Sequence, residues 1–491
     1  MASASSPASA SKSTSRVEIE ELDASTKVST LFFIFSAAVW LVIASLLGFI
    51  AAVQLVQPSF LDGCAWLTHG RVVPMAQNAL VYGWGFNAAF AVLIWVMTRL
   101  SRSPAPGWGP TVVGGLFWNA GVKLGLTGIM IGDTTGYALL EMPNYAAPLL
   151  FLAYAIIGSR IIVIFSRRRG EGVFAAQWYA LAALFWFPWL FTIARITIGM
   201  DVLRGPAQAI AGAWYSHNVY SLFLAPVALA TLYFLLPKRL GRSIVAYPLA
   251  KLGFWSFAFF GSFGGLATLM GGPVPAWVPT LGKSANLMLL VPLFIIGVNL
   301  VGTLFAGRTA GATGGPSLSF LKFGAIAFVV ATTLGMVLSI RPVAHLLQLT
   351  FATDALTSLK FYGVVSMVAF GAIYFIVPRL TLQPWPSSAL ITAHFWASVA
   401  GVLIIVGSLG LAGWEQGQAM ADLENYQTFA EVSAASSGYL VARVLGLLTL
   451  IVGNLAFLVH VIIAIAAAVT RKSEAATEVL FPNPPALEVA K

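Results

Sequence analysis

The stretch WYSHNVYSLFLAPVALATLYFLLPK, residues 214–238, opens on the polar triplet Ser216, His217, Asn218 and then carries no charged residue until Lys238. About 20 such residues in a helix match a hydrocarbon core of roughly 30 Å. The apolar residues run on without alternating, and backbone in lipid must satisfy its hydrogen bonds within its own segment, so the stretch reads as a spanning helix and not as a strand. Working outward, runs of the same kind lie at 28–54, 74–99, 109–132, 145–166, 174–199, 207–236, 247–270, 284–306, 318–340, 359–378, 388–413 and 437–469. The composition agrees, with 59% of 491 residues hydrophobic, only 9% charged and a mean hydropathy of +0.87, against about 25% charged in a soluble domain. The fold class is an all-α polytopic membrane protein with twelve transmembrane helices.

Residues 1–27 are rich in Ser and Ala and hold no apolar core of the signal-peptide type, which predicts a disordered cytoplasmic tail. Residues 28–470 form the membrane domain and 471–491 a short cytoplasmic C-terminal tail. Lys and Arg concentrate in alternate connections: Arg99 and Arg102, Arg167 to Arg169, Lys238, Arg239 and Arg242, Arg308, Arg379, then Arg471 and Lys472. The positive-inside rule puts these loops and both termini in the cytoplasm, and the net charge of +10 becomes a mark of topology. With no basic cluster left over, a nucleic-acid partner is excluded and the lipid bilayer is the expected surrounding. The single cysteine, Cys64, rules out an intramolecular disulfide framework or a Cys-held iron-sulfur cluster.

Ionisable groups within spans are the candidates for chemistry, since each costs at least about 2.5 kcal/mol to insert. Lys123 falls mid-helix near Asn119, Arg195 lies toward the outer end of the fifth run, and Asp133 follows the third. These three form a candidate proton path, although a Lys paired with a carboxylate or a helix-end carbonyl is an equal reading of Lys123. Asp201, Arg204, His217, Asn218, Asn299, Asn454 and His460 complete the polar set. An echo between TLYFLLPKRLGR at 231–242 and AIYFIVPRLTLQ at 372–383 ends two helices alike, on Pro followed by basic residues.

Several strings resemble subunit I of the haem-copper oxidases (cytochrome c oxidase subunit I), closest to the bacterial high-affinity cbb-type branch. GRVVPMAQNALVYGWG at 70–85 is similar to that family's helix 2 entry, and the stretch at 214–238 to its helix 6, where the His of Trp-x-x-His-Asn is a copper ligand. GFWSFAFFGSFGGLATLMGGPVPAW at 253–277 is similar to helix 7, and FGAIYFIVPRL at 370–380 with AHFWASVAGVLIIVGSLGLAGWEQG at 393–417 to helices 10 and 11. The resemblance implies the subunit I-like bundle, two haems and one copper, partner membrane subunits of a respiratory complex with a cytochrome c among them, and a bacterial inner membrane.

The departures are as informative. The family's helix 2 haem-ligand position falls on Ala76, its helix 7 copper ligands on Ala267 and Thr268, its helix 7 tyrosine on Gly261, and its helix 10 haem ligands on Leu356 and Ser358. Of the metal-ligand positions only His217 matches, a vestigial copper site. Ala and Leu offer no lone pair, and Ser and Thr hydroxyls are poor ligands for haem iron or copper. The family's ligand set uses six histidines and this chain has five, His69, His217, His345, His394 and His460. The expectation is therefore a degenerate homologue that needs no cofactor and serves as scaffold or proton-path subunit, its lost cofactor space refilled by Phe254, Trp255, Phe257, Phe259, Phe260, Phe263, Phe361 and Tyr362. Two alternatives stand beside it: an active terminal oxidase with unorthodox ligation, and a secondary transporter.

Overall fold

The computed structural model describes residues 7–470 apart from residue 171, segment 308–313 and residues 423 and 427. Arg308 and the 471–491 tail thus lie outside the described residues. Among these, twelve helices are long and apolar enough to cross a membrane: α1 (Val17–Val56), α2 (His69–Ser101), α3 (Trp108–Ile131), α4 (Asn144–Ser166), α5 (Ala175–Gly199), α6 (Pro206–Leu240), α7 (Tyr247–Leu269), α8 (Trp277–Phe305), α9 (Pro316–Val337), α10 (Phe351–Thr381), α11 (Ser388–Ala421) and α12 (Phe429–Ala468). The segment expected to be a tail is helical from Pro7. Leu22, Asp23 and Thr26 are buried there because α1 continues past the apolar run and carries Asp23 to Arg99, 3.6 Å away, and to Trp95 Nε1, which donates to it at 2.9 Å.

Three helices, α2, α6 and α10, are buried along nearly their whole spans, and the other nine surround them with one outward face. Each inner helix contains a π-helical stretch: Ala79–Gly85, Val219–Leu224 and Leu359–Ser366, beginning 140 residues apart. Such a stretch inserts a residue into the helix and rotates the faces beyond it, a feature frequent at functional sites. Each inner helix also ends on a left-handed residue, Arg102, Gly241 or Leu382, whose N–H bonds to the carbonyl of Thr98, Pro237 or Pro378. The echo at 231–242 and 372–383 thus falls on two of three helix ends that close alike. The first, AVLIWVMTRLSR at 91–102, lacks the proline that made the other two conspicuous.

The inner helices meet pairwise. Phe86 of α2 stacks on Phe223 of α6 with centroids 4.2 Å apart, Trp84 Nε1 of α2 donates to Ser366 Oγ of α10 at 2.9 Å, and Tyr220 of α6 meets Phe361 of α10 edge-on. Phe86 also packs on Trp118 and Phe187, so one aromatic cluster ties α2, α3, α5 and α6.

The aromatic refilling expected of the seventh and tenth helices is not what the structure holds. Trp255 and Phe259, one turn apart, are 58% and 62% exposed, because the helical period turns that face of α7 outward. Phe254 packs against Trp178, Tyr179 and Trp186. Phe257, Phe361 and Tyr362 do point inward, but they line an open cavity and do not fill it.

Candidate functional site: a cavity among the inner helices

The cavity measures about 630 Å³ and is lined by residues of α1, α2 and α6 to α12. Its wall includes Ala76, His217, Gly261, Ala267, Thr268, Leu356 and Ser358, so folding brings to one place positions that are up to 282 residues apart in the chain. His217 Nε2 lies 3.0 Å from the Gly261 carbonyl, and Asn218 donates to the Ser262 carbonyl at 2.9 Å, which fixes the start of the π-helical stretch of α6 against α7. Asn286 and Gln348 hold the 264–267 turn through the carbonyls of Gly264 and Ala267.

Charged groups that sequence reading passed over share this wall. Lys360 of α10 stands over the Tyr220 ring at 5.3 Å. Lys283, Asp354 and Arg443 also line the cavity, with the charges of Asp354 and Arg443 attracting one another. The available signal was a Lys and an Arg inside the apolar runs at 359–378 and 437–469.

The candidate proton-path residues separate. Lys123 lies on the outward face of α3 with Ala120, Leu124 and Thr127, because Gly121, Gly125 and Gly128 take the inward face against α4 and the 142–143 loop. Asp133 is exposed beyond the end of α3. Neither shares a site with Arg195, which is 7% exposed and whose guanidinium donates to the Met142 carbonyl at 2.6 Å and to Asn144 Oδ1 at 3.4 Å. Of the remaining polar set, Asp201, Arg204 and His345 are exposed, Asn299 accepts from Tyr233 OH at 2.7 Å, and Asn454 donates to Ser45 at 2.8 Å.

Near Arg195 lies Glu141, a buried carboxylate in the loop between α3 and α4 that no local pattern of residues sets apart from other loop acids. Asn78 donates to it at 2.7 Å. Tyr82 OH donates to the Leu139 carbonyl at 2.6 Å and therefore accepts from Tyr215 OH, also at 2.6 Å. Ala138 and Leu139 continue into the cavity wall, so this cluster adjoins the cavity. Burial raises the Glu141 carboxyl to about 7, opposed by the Asn78 hydrogen bond, nearby backbone N–H groups and Arg195. A folded-state value above the unfolded one means that this group's contribution is full below about pH 4.5 and is lost as pH rises toward about 7. Glu141→Gln is expected to flatten the pH dependence of the thermal midpoint in that window, and an unchanged slope would assign the dependence elsewhere.

The geometry is that of a polytopic membrane protein whose three inner helices, each interrupted by a π-helical stretch, border a largely apolar cavity that carries a few charged groups. The family model described as Cytochrome C and Quinol oxidase polypeptide I matches residues 28–473, and the chain belongs to that family. It is 26% identical over 468 residues to a cytochrome c oxidase subunit 1 homolog of Azorhizobium caulinodans, covering 91% of this chain and 83% of that one. It is 27% identical over 406 residues to the bacteroid homolog of Bradyrhizobium diazoefficiens (79% and 72%), and 26% identical over 430 residues to the Cbb3-type cytochrome c oxidase subunit CcoN1 of Stutzerimonas stutzeri (84% and 90%). A solved haem-copper terminal oxidase dimer shares the fold, with a TM-score of 0.65 at 14% identity over 91% of this chain and 85% of that one.

These matches correct one expectation. The family is that of haem- and copper-carrying oxidases, so a chain needing no cofactor is not what membership implies. Copper held by clustered imidazoles does not fit the residues present, since the described residues contain no group of three His, Cys, Asp or Glu able to hold a metal ion. A haem fits better in kind, because the cavity wall offers two imidazoles and the cations Lys283, Lys360 and Arg443, which suit its carboxylates. Of the imidazoles, His69 has a buried Nδ1 without a partner.

Proposed function

We propose that this cytochrome c oxidase subunit I-like membrane protein is a divergent subunit of a respiratory complex. It serves as scaffold or proton-path subunit, and the family's binuclear metal centre is not assembled on it. The observation that carries this reading is the wall of the central cavity, where Ala76, Ala267, Thr268, Leu356 and Ser358 stand at the positions that the sequence resemblance assigns to metal ligands. A haem carried by this chain would be held by His69 or His217 and would supply one-electron transfer, with Lys283, Lys360 and Arg443 offsetting its negative charge. The chain's own groups exclude bulk water from the inner helices, orient the α6 to α7 turn through His217 and Asn218, and hold a titratable carboxyl at Glu141 near Arg195. Lys123, on the outward face of α3, faces the lipid or a companion subunit and stands apart from this route. The basic loops and both termini are placed in the cytoplasm of a bacterium and the chain in its inner membrane, with companion subunits and a cytochrome c as partners. A secondary transporter is not what the chain is similar to.

Purification of the complex from native membranes, followed by haemochrome spectroscopy and metal analysis, tests the reading. At most about one haem per chain, lost on His69→Ala or His217→Ala, and copper well below one per chain are expected. Two haems and one copper per chain would establish an active oxidase of unorthodox ligation in its place.

A further inference from the structure

The outward face of α3 is apolar from end to end except near its middle. Leu116, Ala120, Leu124 and Ile131 recur along it at helical spacing, all exposed, and Lys123 and Thr127 stand among them one turn apart, exposed as well. An apolar stripe of this kind needs only hydrocarbon around it. An ammonium group does not fit there, because a charge within a spanning segment is costly and is ordinarily kept only where it meets a partner or a water-filled space. Lys123 is therefore the residue of the sequence-level candidates whose position the chain alone leaves unexplained.

Relief does not come from within the chain. Among the described residues no hydrogen bond or ion pair reaches the side chain of Lys123 or of Thr127. The helices packed on α3 are α1, α2 and α4. None of them offers a carboxylate in its span: α1 from residue 24 onward, α2, α3 itself and α4 contain no Asp or Glu. Glu141 is buried and taken up by Asn78 of α2, and Asp133 lies beyond the end of α3. Reaching the interface is no remedy either. Lys123 is eight residues short of Ile131, about 12 Å, and fifteen past Trp108, about 22 Å. The Cα–Cβ bond of a helical residue tilts toward the helix N-terminus, so the side chain sets out in the direction of the more distant end. The neighbours on the face are small, Ala120 one turn before Lys123 and Thr127 one turn after, and small residues let a second helix approach closely.

We propose that the outward face of α3, centred on Lys123 and Thr127, is the docking surface for a spanning helix of a companion subunit, and that this helix carries an Asp or Glu within its apolar run to pair with Lys123. Charge complementarity selects the occupant. The ammonium group donates to the carboxylate, the Thr127 hydroxyl donates to the same group from the next turn, and the apolar residues of the face pack along the partner on either side. A second copy of this chain does not suit the surface, because a twofold contact centred there sets Lys123 against Lys123. A lipid phosphate belongs to the interface, at the end of the helix and not at the level of Lys123. The relatives of this chain are named as oxidase subunits, so spanning helices of other chains belong to the same setting. The inference rests on the subunit reading above and assigns one face of the chain to that assembly.

The test uses the full chain in its native membrane. A photo-crosslinking amino acid placed at Leu124 is expected to capture a membrane polypeptide other than this chain, and mass spectrometry of the crosslinked peptide is expected to find an Asp or Glu inside an apolar run of about 20 residues. In affinity purification through this chain, Lys123→Met is expected to lower the yield of that companion at least about fivefold, while Lys123→Arg keeps most of it. Replacing the companion's acid by its amide should reproduce the loss. Because Lys123 touches nothing within the chain, the abundance and thermal midpoint of the Lys123→Met chain itself should stay unchanged, which separates lost docking from lost folding. Capture of lipid alone, of a second copy, or of a helix without an acid overturns the proposal, as does a companion retained in full by Lys123→Met. A companion that copurifies equally with both forms sinks this face and leaves the subunit reading standing, whereas haem and copper content tests that reading without regard to Lys123.

Discussion

Arg195→Met is expected to destabilise the protein by about 1–3 kcal/mol, the range for leaving buried hydrogen-bonding groups without their partner. The guanidinium is the group that closes the outer end of α5 onto the loop between α3 and α4, through the Met142 carbonyl and Asn144 Oδ1. Asn144 in turn donates to the Gly199 carbonyl at 2.5 Å, so loop and helix end hold each other reciprocally. Met has a similar length but no donor, which leaves the Met142 carbonyl unmatched and removes a nearby positive charge from Glu141. Thermal unfolding in detergent reads the loss. Adding Glu141→Gln to Arg195→Met should recover part of it, because neutralising the carboxyl removes the charge that Arg195 compensated, and coupled neighbours commonly show about 0.5–3 kcal/mol of interaction. A single variant that loses less than about 1 kcal/mol, with no recovery in the double, would show that solvent and backbone already satisfy Glu141.

Phe86→Ala is the second large effect, expected at about 3–5 kcal/mol. Phe86 is fully buried at the centre of the aromatic cluster, stacked between Phe223 and Trp118 and edge-on to Phe187. Truncation removes contacts to three helices together, and the flanking rings are too rigid to close the space. Phe86→Leu, which keeps much of the volume, should cost clearly less. Equal losses for Ala and Leu would place the effect in ring stacking and not in the cavity that truncation leaves.

The twelve spans could be read from the chain because hydrocarbon imposes one rule on every segment that crosses it, and the runs at 74–99 and 359–378 obey it as plainly as the stretch at 214–238. The path of α1 before residue 28 was not legible. Its polar residues look like a tail until Asp23 meets Arg99 and Trp95, and those partners lie more than 70 residues away. Lys123 misled for the opposite reason. A charge in an apolar run signals function, but the run does not say which face the charge takes, and packing of small residues on α4 turned it outward. The aromatic residues of α7 likewise carried volume without direction, and Trp255 and Phe259 spend it on the exterior.

The sequence by itself determined class, span number and family resemblance, because hydropathy is a property of consecutive residues and motif strings are local. It also showed which residue types stand at the metal-ligand positions implied by that resemblance. Only the tertiary structure decided that Ala76, His217, Ala267, Thr268, Leu356 and Ser358 share one wall, that the space behind them remains open, and that Lys360 and Arg443 face it. It alone set Glu141 near Arg195. Those relations depend on how three π-interrupted helices, begun 140 residues apart, turn their faces toward one another, and no local stretch of chain contains that rotation.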